Sequence, residues 1–401
     1  MLSAVSRLAA LGALTFVTGL LLPTAKGAAP AAAPAAPPGS SAPTAAPALL
    51  RASPARPLAQ SKLPTGLRVT NIDYVSDTDL ALWLGFKGAW TDPLHRLTLT
   101  DKSNPASHAD LNVDSRETAI NGLRVFFGDK VVLRNGHLYV SRTDAERALA
   151  PLLRPGVCGA PPPAPKIIVL DPGHGGDDPG TENRALGLTE KVLTLDVAQR
   201  LKKLLEAAGY KVVLTRTGDE ALAGNKAVDL ALRPNLANRE HADLFIGIHF
   251  NAAAKDTRGT EVFIYTPKAQ HATDWWGQPG HEDAALETGE QPVNRYDAWS
   301  AALAAALHRQ MLQTLKTEDR GKKIAHWAVL KTLNCPGVLV EPAIINNDQE
   351  ARRVAAPAFR QQIAEALAAG VRDYAAALDS LRPPPQPAAA TSTPAAPSIT
   401  R

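Results

Sequence analysis

The chain has 401 residues, more than one typical domain, and its 33 prolines against 28 glycines mark part of it as linker rather than core. Its formal net charge of +4 at pH 7 is too small an excess to argue for nucleic acid, and no nucleic-acid partner is expected. The two cysteines, Cys158 and Cys335, are free to pair in an oxidising compartment, but sequence does not say whether their Cα atoms approach closely enough.

At the N-terminus a single basic residue, Arg7, precedes an apolar run from Leu8 to Leu22 and small residues around Ala25 and Gly27. Residues 1–27 read as a secretory signal peptide, because the run is shorter than the ~20 residues a membrane span needs. No cysteine follows the run, which argues against a lipid anchor. The expectation is an exported protein, periplasmic or extracellular, with no stable membrane anchor after cleavage. Loss of Arg7 and Lys26, with no acid, would leave a charge of +2.

Residues 28–63 are nearly all Ala, Pro and Ser, too poor in large apolar groups to offset the entropy of ordering, and read as a tether. The tail over residues 379–401 has the same composition.

Residues 64–153 carry short alternating runs such as Leu67-Arg68-Val69, with hairpin signals at Asn121-Gly122 and Asn135-Gly136. Tyr74-Val75-Ser76-Asp77-Thr78-Asp79 is echoed by Tyr139-Val140-Ser141-Arg142-Thr143-Asp144, so the region is expected to be an internally duplicated, small α+β module. This pattern resembles the copper amine oxidase N-terminal-like modules of some cell-wall enzymes, which implies a binding or spacer role with a wall or protein ligand. His95, His108 and His137 lack ligand spacing and read as surface or structural groups.

Beyond a Pro-rich joint at residues 154–165, strands and helices alternate. KIIVL at 166–170 and LFIGI at 244–248 are continuous apolar runs, as strands buried on both faces should be. Between them Leu193, Val197, Leu201 and Leu204 keep helical spacing up to Gly209, and Lys211–Thr215 reads as the next strand. The expected fold is α/β, a twisted, mostly parallel sheet with helices on both faces.

Three positions carry ligand chemistry. His174 follows a buried strand in the turn Asp171-Pro172-Gly173-His174-Gly175-Gly176, and His249 follows the strand 244–248. Ligands bind at such carboxyl ends in open α/β sheets. Glu190 opens the long helix in register with Leu193 and Val197, so its carboxylate should face the sheet and need a cation. Two imidazoles and one carboxylate leave one tetrahedral position open for water, as in a catalytic zinc site. Glu341 ends the strand Gly337-Val338-Leu339-Val340-Glu341, where it can act as general base and acid. Asp171 has two readings, orienting a ligand histidine or capping the turn. His241, His271, His281, His308 and His326 read as structural.

Over residues 166–378 these segments resemble the zinc-dependent type 3 family of N-acetylmuramoyl-L-alanine amidases. The motifs are DPGHGG with Asp178-Pro179-Gly180, TEKVLTLDVAQRL, FIGIHFN, Asp319-Arg320-Gly321 with Ala328-Val329-Leu330, and GVLVE. The resemblance implies zinc held by His174, Glu190 and His249, Glu341 as the catalytic glutamate, peptidoglycan as substrate, and a place at the cell wall. It departs after Glu341, where the family's glycine, aromatic and Ser-Asn are replaced by Pro342-Ala343-Ile344-Ile345-Asn346-Asn347. Related division amidases carry an inhibitory helical insert near the position of residues 266–297, a long stretch holding Trp275 and Trp276. By that resemblance it is a candidate lid or binding loop; local packing of the two tryptophans is the other reading. The alternatives to amide cleavage at muramic acid are a zinc peptidase acting within the stem peptide and a catalytically silent wall-binding protein.

Overall fold

The structure, a computed structural model, describes residues 63–266 apart from 65, together with 270, 272, 273 and 296–382, and all of these fall in one compact unit. The expected signal peptide, tether and most of the tail, and nearly all of the 266–297 stretch, lie outside the described residues. No helix among the described residues is long and apolar enough to cross a membrane.

The N-terminal segment begins with strands β1 (Leu67–Val69) and β2 (Ile72–Ser76) and helix α1 (Asp77–Leu84). Strands β3 (Phe86–Asp92), β4 (Arg96–Asp101), β5 (His108–Asn112), β6 (Glu117–Ile120) and β7 (Leu123–Phe126) follow as an antiparallel meander. Strands β8 (Val132–Arg134) and β9 (His137–Ser141) lead into α2 (Arg142–Asp144), a π-helical turn, and α3 (Ala150–Leu153). Both Asn-Gly signals make two-residue hairpins with positive φ at each residue, Asn121 51° and Gly122 77°, Asn135 52° and Gly136 79°. The echoed Tyr-Val-Ser stretches form β2 and β9, which pair antiparallel with each other, Tyr74 opposite Ser141 and Val75 opposite Val140. Each repeat's serine then caps the helix that follows, Ser76 accepting from the Asp79 N–H and Ser141 from the Asp144 N–H.

The second segment contains β10 (Ile167–Pro172), the short pair β11 (Glu182–Asn183) and β12 (Leu188–Thr189), and helix α4 (Glu190–Ala207). It continues through β13 (Lys211–Leu214), α5 (Lys226–Arg239), β14 (Leu244–Ile248), β15 (Thr260–Tyr265), α6 (Asp297–Leu315) and β16 (Asp319–Ala325). It ends with α7 (Ala328–Lys331), β17 (Gly337–Glu341), α8 (Asp348–Ala355) and α9 (Pro357–Ser380). Its strands lie in the order β13-β10-β14-β17-β15-β16, parallel at every neighbour except the antiparallel β15–β17 pair. Successive residues of a strand serve opposite faces. Ile168, Leu170, Ile246, Ile248 and Val340 join α4, α6 and α9 in one core, while Val169, Phe245 and Leu339 meet α5 and α7 in another. This is the expected α/β sheet with helices on both faces.

The two segments, read from sequence as a module and a catalytic domain separated by a joint, share a single sheet. Strand β7 pairs parallel with β16 at Val125 and Lys322, so the order runs on through β7-β6-β5-β4-β3 to eleven strands. The Asp319 carboxylate binds the Arg124 N–H at 2.9 Å and the buried His308 Nε2 at 2.6 Å, tying β7, β16 and α6 together. An open β16 edge would expose unpaired backbone groups, and β7 covers it. Sequence pattern is local and shows no such long-range pairing.

Candidate metal centre

Strands β10, β14 and β17 are neighbours, so the turns at their carboxyl ends open into one cleft, a cavity of about 290 Å³ whose lining includes His174, Glu190, His249 and Glu341. His174 sits two residues past β10 at φ 63°, a left-handed conformation that turns its ring toward the start of α4. His249 follows β14 directly and Glu190 is the first residue of α4. One ligand atom from each of these three lies within 4.8 Å of the others. The Glu190 Oε1 is 3.0 Å from His174 Nε2 and 3.0 Å from His249 Nδ1, and the rings stand 4.9 Å apart at 75°.

Backbone holds the carboxylate in place: Thr181 N–H donates to Oε2 at 2.7 Å and Phe250 N–H to Oε1 at 2.9 Å. Burial by itself would raise the proton affinity of Glu190, but the hydrogen bonds and charges of His174 and His249 outweigh it and hold the carboxyl far below its usual range. On the far side of His174, Asp178 Oδ2 lies 3.0 Å from Nδ1. Burial opposes ionisation of Asp178; the His174 contact and Lys226 overcome it and keep that carboxyl at about 2. An imidazole flanked by two carboxylates is a place for positive charge. With Nδ1–H given to Asp178, the Nε2 lone pair points at the cluster, the tautomer a metal ligand requires.

Two glycines make room. A Cβ on Gly173 would lie 2.2 Å from the His249 ring, and one on Gly180, at φ 67°, would lie 2.6 Å from the His174 ring and 2.7 Å from Glu190 Oε2. Both are contacts real Cβ atoms do not make.

Glu341 stands at the end of β17, 5% exposed, and its Oε2 is buried without a hydrogen-bond partner among the described residues. Burial first, then the charges of Glu190 and Glu261, push its proton affinity well above the ordinary carboxylate value, while Lys323 works against them. After it, Asn346 exchanges two hydrogen bonds with the Ala253 backbone at 3.1 and 2.6 Å, and Asn347 caps α8. The divergent Pro342–Asn347 loop therefore braces the segment beyond His249.

The four residues singled out from sequence thus meet in one cleft. Asp171 does not reach a ligand ring. It accepts from Thr215 Oγ1 at 2.6 Å and from the buried Arg233 at 2.8 Å, and Arg233 in turn holds the His174 carbonyl at 2.9 Å. Asp178 is the carboxylate that contacts the His174 ring instead, and its four-residue spacing from His174 in the quoted motif is the signal that was open to a reader. Asn251, Glu261 and Lys323 also escaped notice, because their meeting is made by strand pairing. His308 is structural, paired with Asp319; His95 is exposed, and His137 contacts Asp77 at the surface. His271 and His281 lie outside the described residues. Cys158 and Cys335 are both unbridged.

An α/β sheet that delivers two imidazoles and a carboxylate to one cleft, with a buried free acid beside them, defines a class of proteins with a three-donor centre at their strand ends. Within that class the chain belongs to the N-acetylmuramoyl-L-alanine amidase family, which matches residues 168–373. It is 30% identical to the N-acetylmuramoyl-L-alanine amidase AmiA of Escherichia coli K12 over 226 residues, 52% of this chain and 76% of that one. With the enzyme AmiC of Neisseria meningitidis serogroup B the identity is 31% over 235 residues, 52% of each chain. Against an uncharacterized cell wall amidase of Bacillus anthracis it is 30% over 210 residues, and there the chain spans 35% of the relative's length. For the Bacillus anthracis and Neisseria meningitidis relatives the chain spans only about a third and about half of their length. Among solved structures, the N-acetylmuramoyl-L-alanine amidase of Clostridium difficile 630 is 26% identical, with a TM-score of 0.42 over 53% of this chain and 97% of that one.

Proposed function

We propose that this chain is a zinc-dependent N-acetylmuramoyl-L-alanine amidase of the cell wall, hydrolysing the amide between the lactyl group of N-acetylmuramic acid and L-alanine of the stem peptide. The reading includes export to the periplasm or cell exterior, peptidoglycan as the macromolecular partner, and a wall or protein ligand for residues 64–153. The observation that carries it is the convergence of His174, Glu190 and His249 beside Glu341, whose Oε2 has no partner among the described residues, in the cleft of a chain of this family.

The donor set fits zinc: two neutral nitrogens and one oxygen, with room for water in a fourth position. His174, Glu190 and His249 would hold the ion, which supplies Lewis acidity and lowers the pKa of water. Asp178 keeps the His174 Nε2 lone pair directed inward. Glu341 takes the proton of the attacking water at its unpartnered oxygen, oxygen bonds to the lactyl carbonyl carbon, and Glu341 passes that proton to the alanine nitrogen as the C–N bond breaks. The products are a free muramic carboxyl group and a stem peptide with a new amino terminus. The buried, acid-flanked setting of Glu341 suits the first half of this transfer, because it raises the carboxylate's basicity.

Digestion of purified cell wall with and without a chelator, followed by mass spectrometry, tests the reading. Intact stems beginning with L-alanine should appear only without chelator. Fragments cut within the stem would make the protein a peptidase, and chelator-insensitive release would remove the metal from the reaction.

A further inference from the structure

A second buried carboxylate stands beside Glu341, and beyond its charge the reaction described above gives it no role. Glu261, on β15 and 1% exposed, lies directly opposite Glu341 in the antiparallel β15–β17 register, and such cross-strand neighbours share a face of the sheet. Its Oε2 accepts from Lys323 at 2.5 Å and from Arg320 Nε at 3.3 Å. In a regular strand, residues three apart point to opposite faces. Here the β15–β16 register skips Arg320, with Thr260 opposite Asp319 and Glu261 opposite Gly321, and this bulge lets Arg320 and Lys323 of β16 reach one carboxylate. The other oxygen, Oε1, accepts from Asn251 Nδ2.

Asn251 lines the cleft two residues after His249. Its backbone is clamped by the Glu341 loop, N–H to the Ala343 carbonyl at 3.2 Å and carbonyl from the Ile345 N–H at 3.1 Å. Its Oδ1 accepts from the Ala252 N–H at 2.7 Å. With Oδ1 engaged from its own loop and Nδ2 drawn to a charged carboxylate, the carboxamide has one orientation, and the second Nδ2 hydrogen remains to be offered along the cleft wall.

We propose that Glu261 is a positioning residue of the hydrolytic site: paired with Lys323 and Arg320, it fixes the Asn251 carboxamide in the cleft wall, where Asn251 meets a carbonyl of the bound substrate. A buried carboxylate inside a sheet costs stability unless it is paired, and three donors on this one, one of them from the cleft wall, form a relay from the sheet interior to the cleft. The inference rests on the reading of the cleft as an amide-hydrolysing site.

The test is a double-mutant cycle on full-length protein, with Glu261→Gln, Asn251→Ala and the pair assayed for release of stems from purified wall. Glu261→Gln keeps the shape and removes the charge. Each single variant should retain zinc by elemental analysis and lose about tenfold in kcat with KM within about twofold, and the double variant should be no slower than the slower single. Multiplicative losses, about a hundredfold in the double variant, would mean that Glu261 does not act through Asn251. So would a Glu261→Gln variant with full kcat. Should Glu261→Gln fail to fold, Glu261→Asp, which keeps the charge on a shorter arm, and Asn251→Ala complete the same cycle. The bond cut in the wall is read separately: cleavage within the stem would overturn the proposed function, while the coupling between the two residues would still decide the role of Glu261.

Discussion

The roles proposed for Glu341 and for His174, Glu190 and His249 are ones that substitutions can separate. Glu341→Gln removes the proton carrier and no metal donor, so stem release should fall by about 10²–10⁴-fold while zinc content stays at wild type. His174→Ala or His249→Ala should lose zinc and activity together, with elemental analysis as the readout; full occupancy in either would mean the ligands are wrongly assigned. Asp178→Asn tests the carboxylate that the structure sets against His174 Nδ1. It keeps the size of the side chain but loses the carboxylate that holds the His174 tautomer, and zinc affinity measured by competition with a chelator should weaken about 10–100-fold. Gly180→Ala should cost about 1–3 kcal/mol in thermal unfolding and lower zinc content, since its Cβ has to displace His174 or Glu190.

At the scale of elements, α6 begins at Asp297, a buried carboxyl whose charged neighbours are Arg147 at 4.0 Å, from the π-helical turn before α3, and Lys322 on β16. Burial pushes Asp297 from 3.8 up to about 6, with Arg147 and Lys322 pulling the other way. A raised folded-state value means that this group's stabilising contribution is complete below about pH 4 and is lost as pH rises through 6. Asp297→Asn cannot titrate. The stability of that variant relative to wild type should therefore rise between pH 4 and 6, by up to about 3 kcal/mol, as followed by urea unfolding across the range. An offset between the two proteins that does not vary with pH would show that Asp297 does not titrate in this interval.

For the whole molecule the consequence of the continuous sheet is mechanical. A chain cut to begin near Pro161 would lose β7, open the edge of β16 and strip Asp319 of its Arg124 partner. Such a fragment should melt at a lower temperature than the longer chain and aggregate on concentration, because an open edge strand pairs with other chains. Equal melting temperatures would mean that the N-terminal strands are carried rather than needed.

Much of this architecture was legible in local pattern. The strands at 244–248 and 337–341, the helix opening at Glu190 and the Asn-Gly hairpins follow from apolar periodicity and turn chemistry, which act over a few residues. His174, Glu190, His249 and Glu341 were readable for the same reason: each sits at an element's end, and ends of neighbouring strands in an α/β sheet converge. What the tertiary structure alone decided depends on pairings between distant parts of the chain. The β7–β16 seam joins residues nearly two hundred positions apart, and the bulge at Arg320 places two cations on Glu261 beneath Asn251. Local composition selects which residues form a strand or a cap; the choice of neighbour, and with it the drawing of Asp171 away from His174 toward Thr215 and Arg233, is made by long-range hydrogen bonding and burial that no short window of sequence contains.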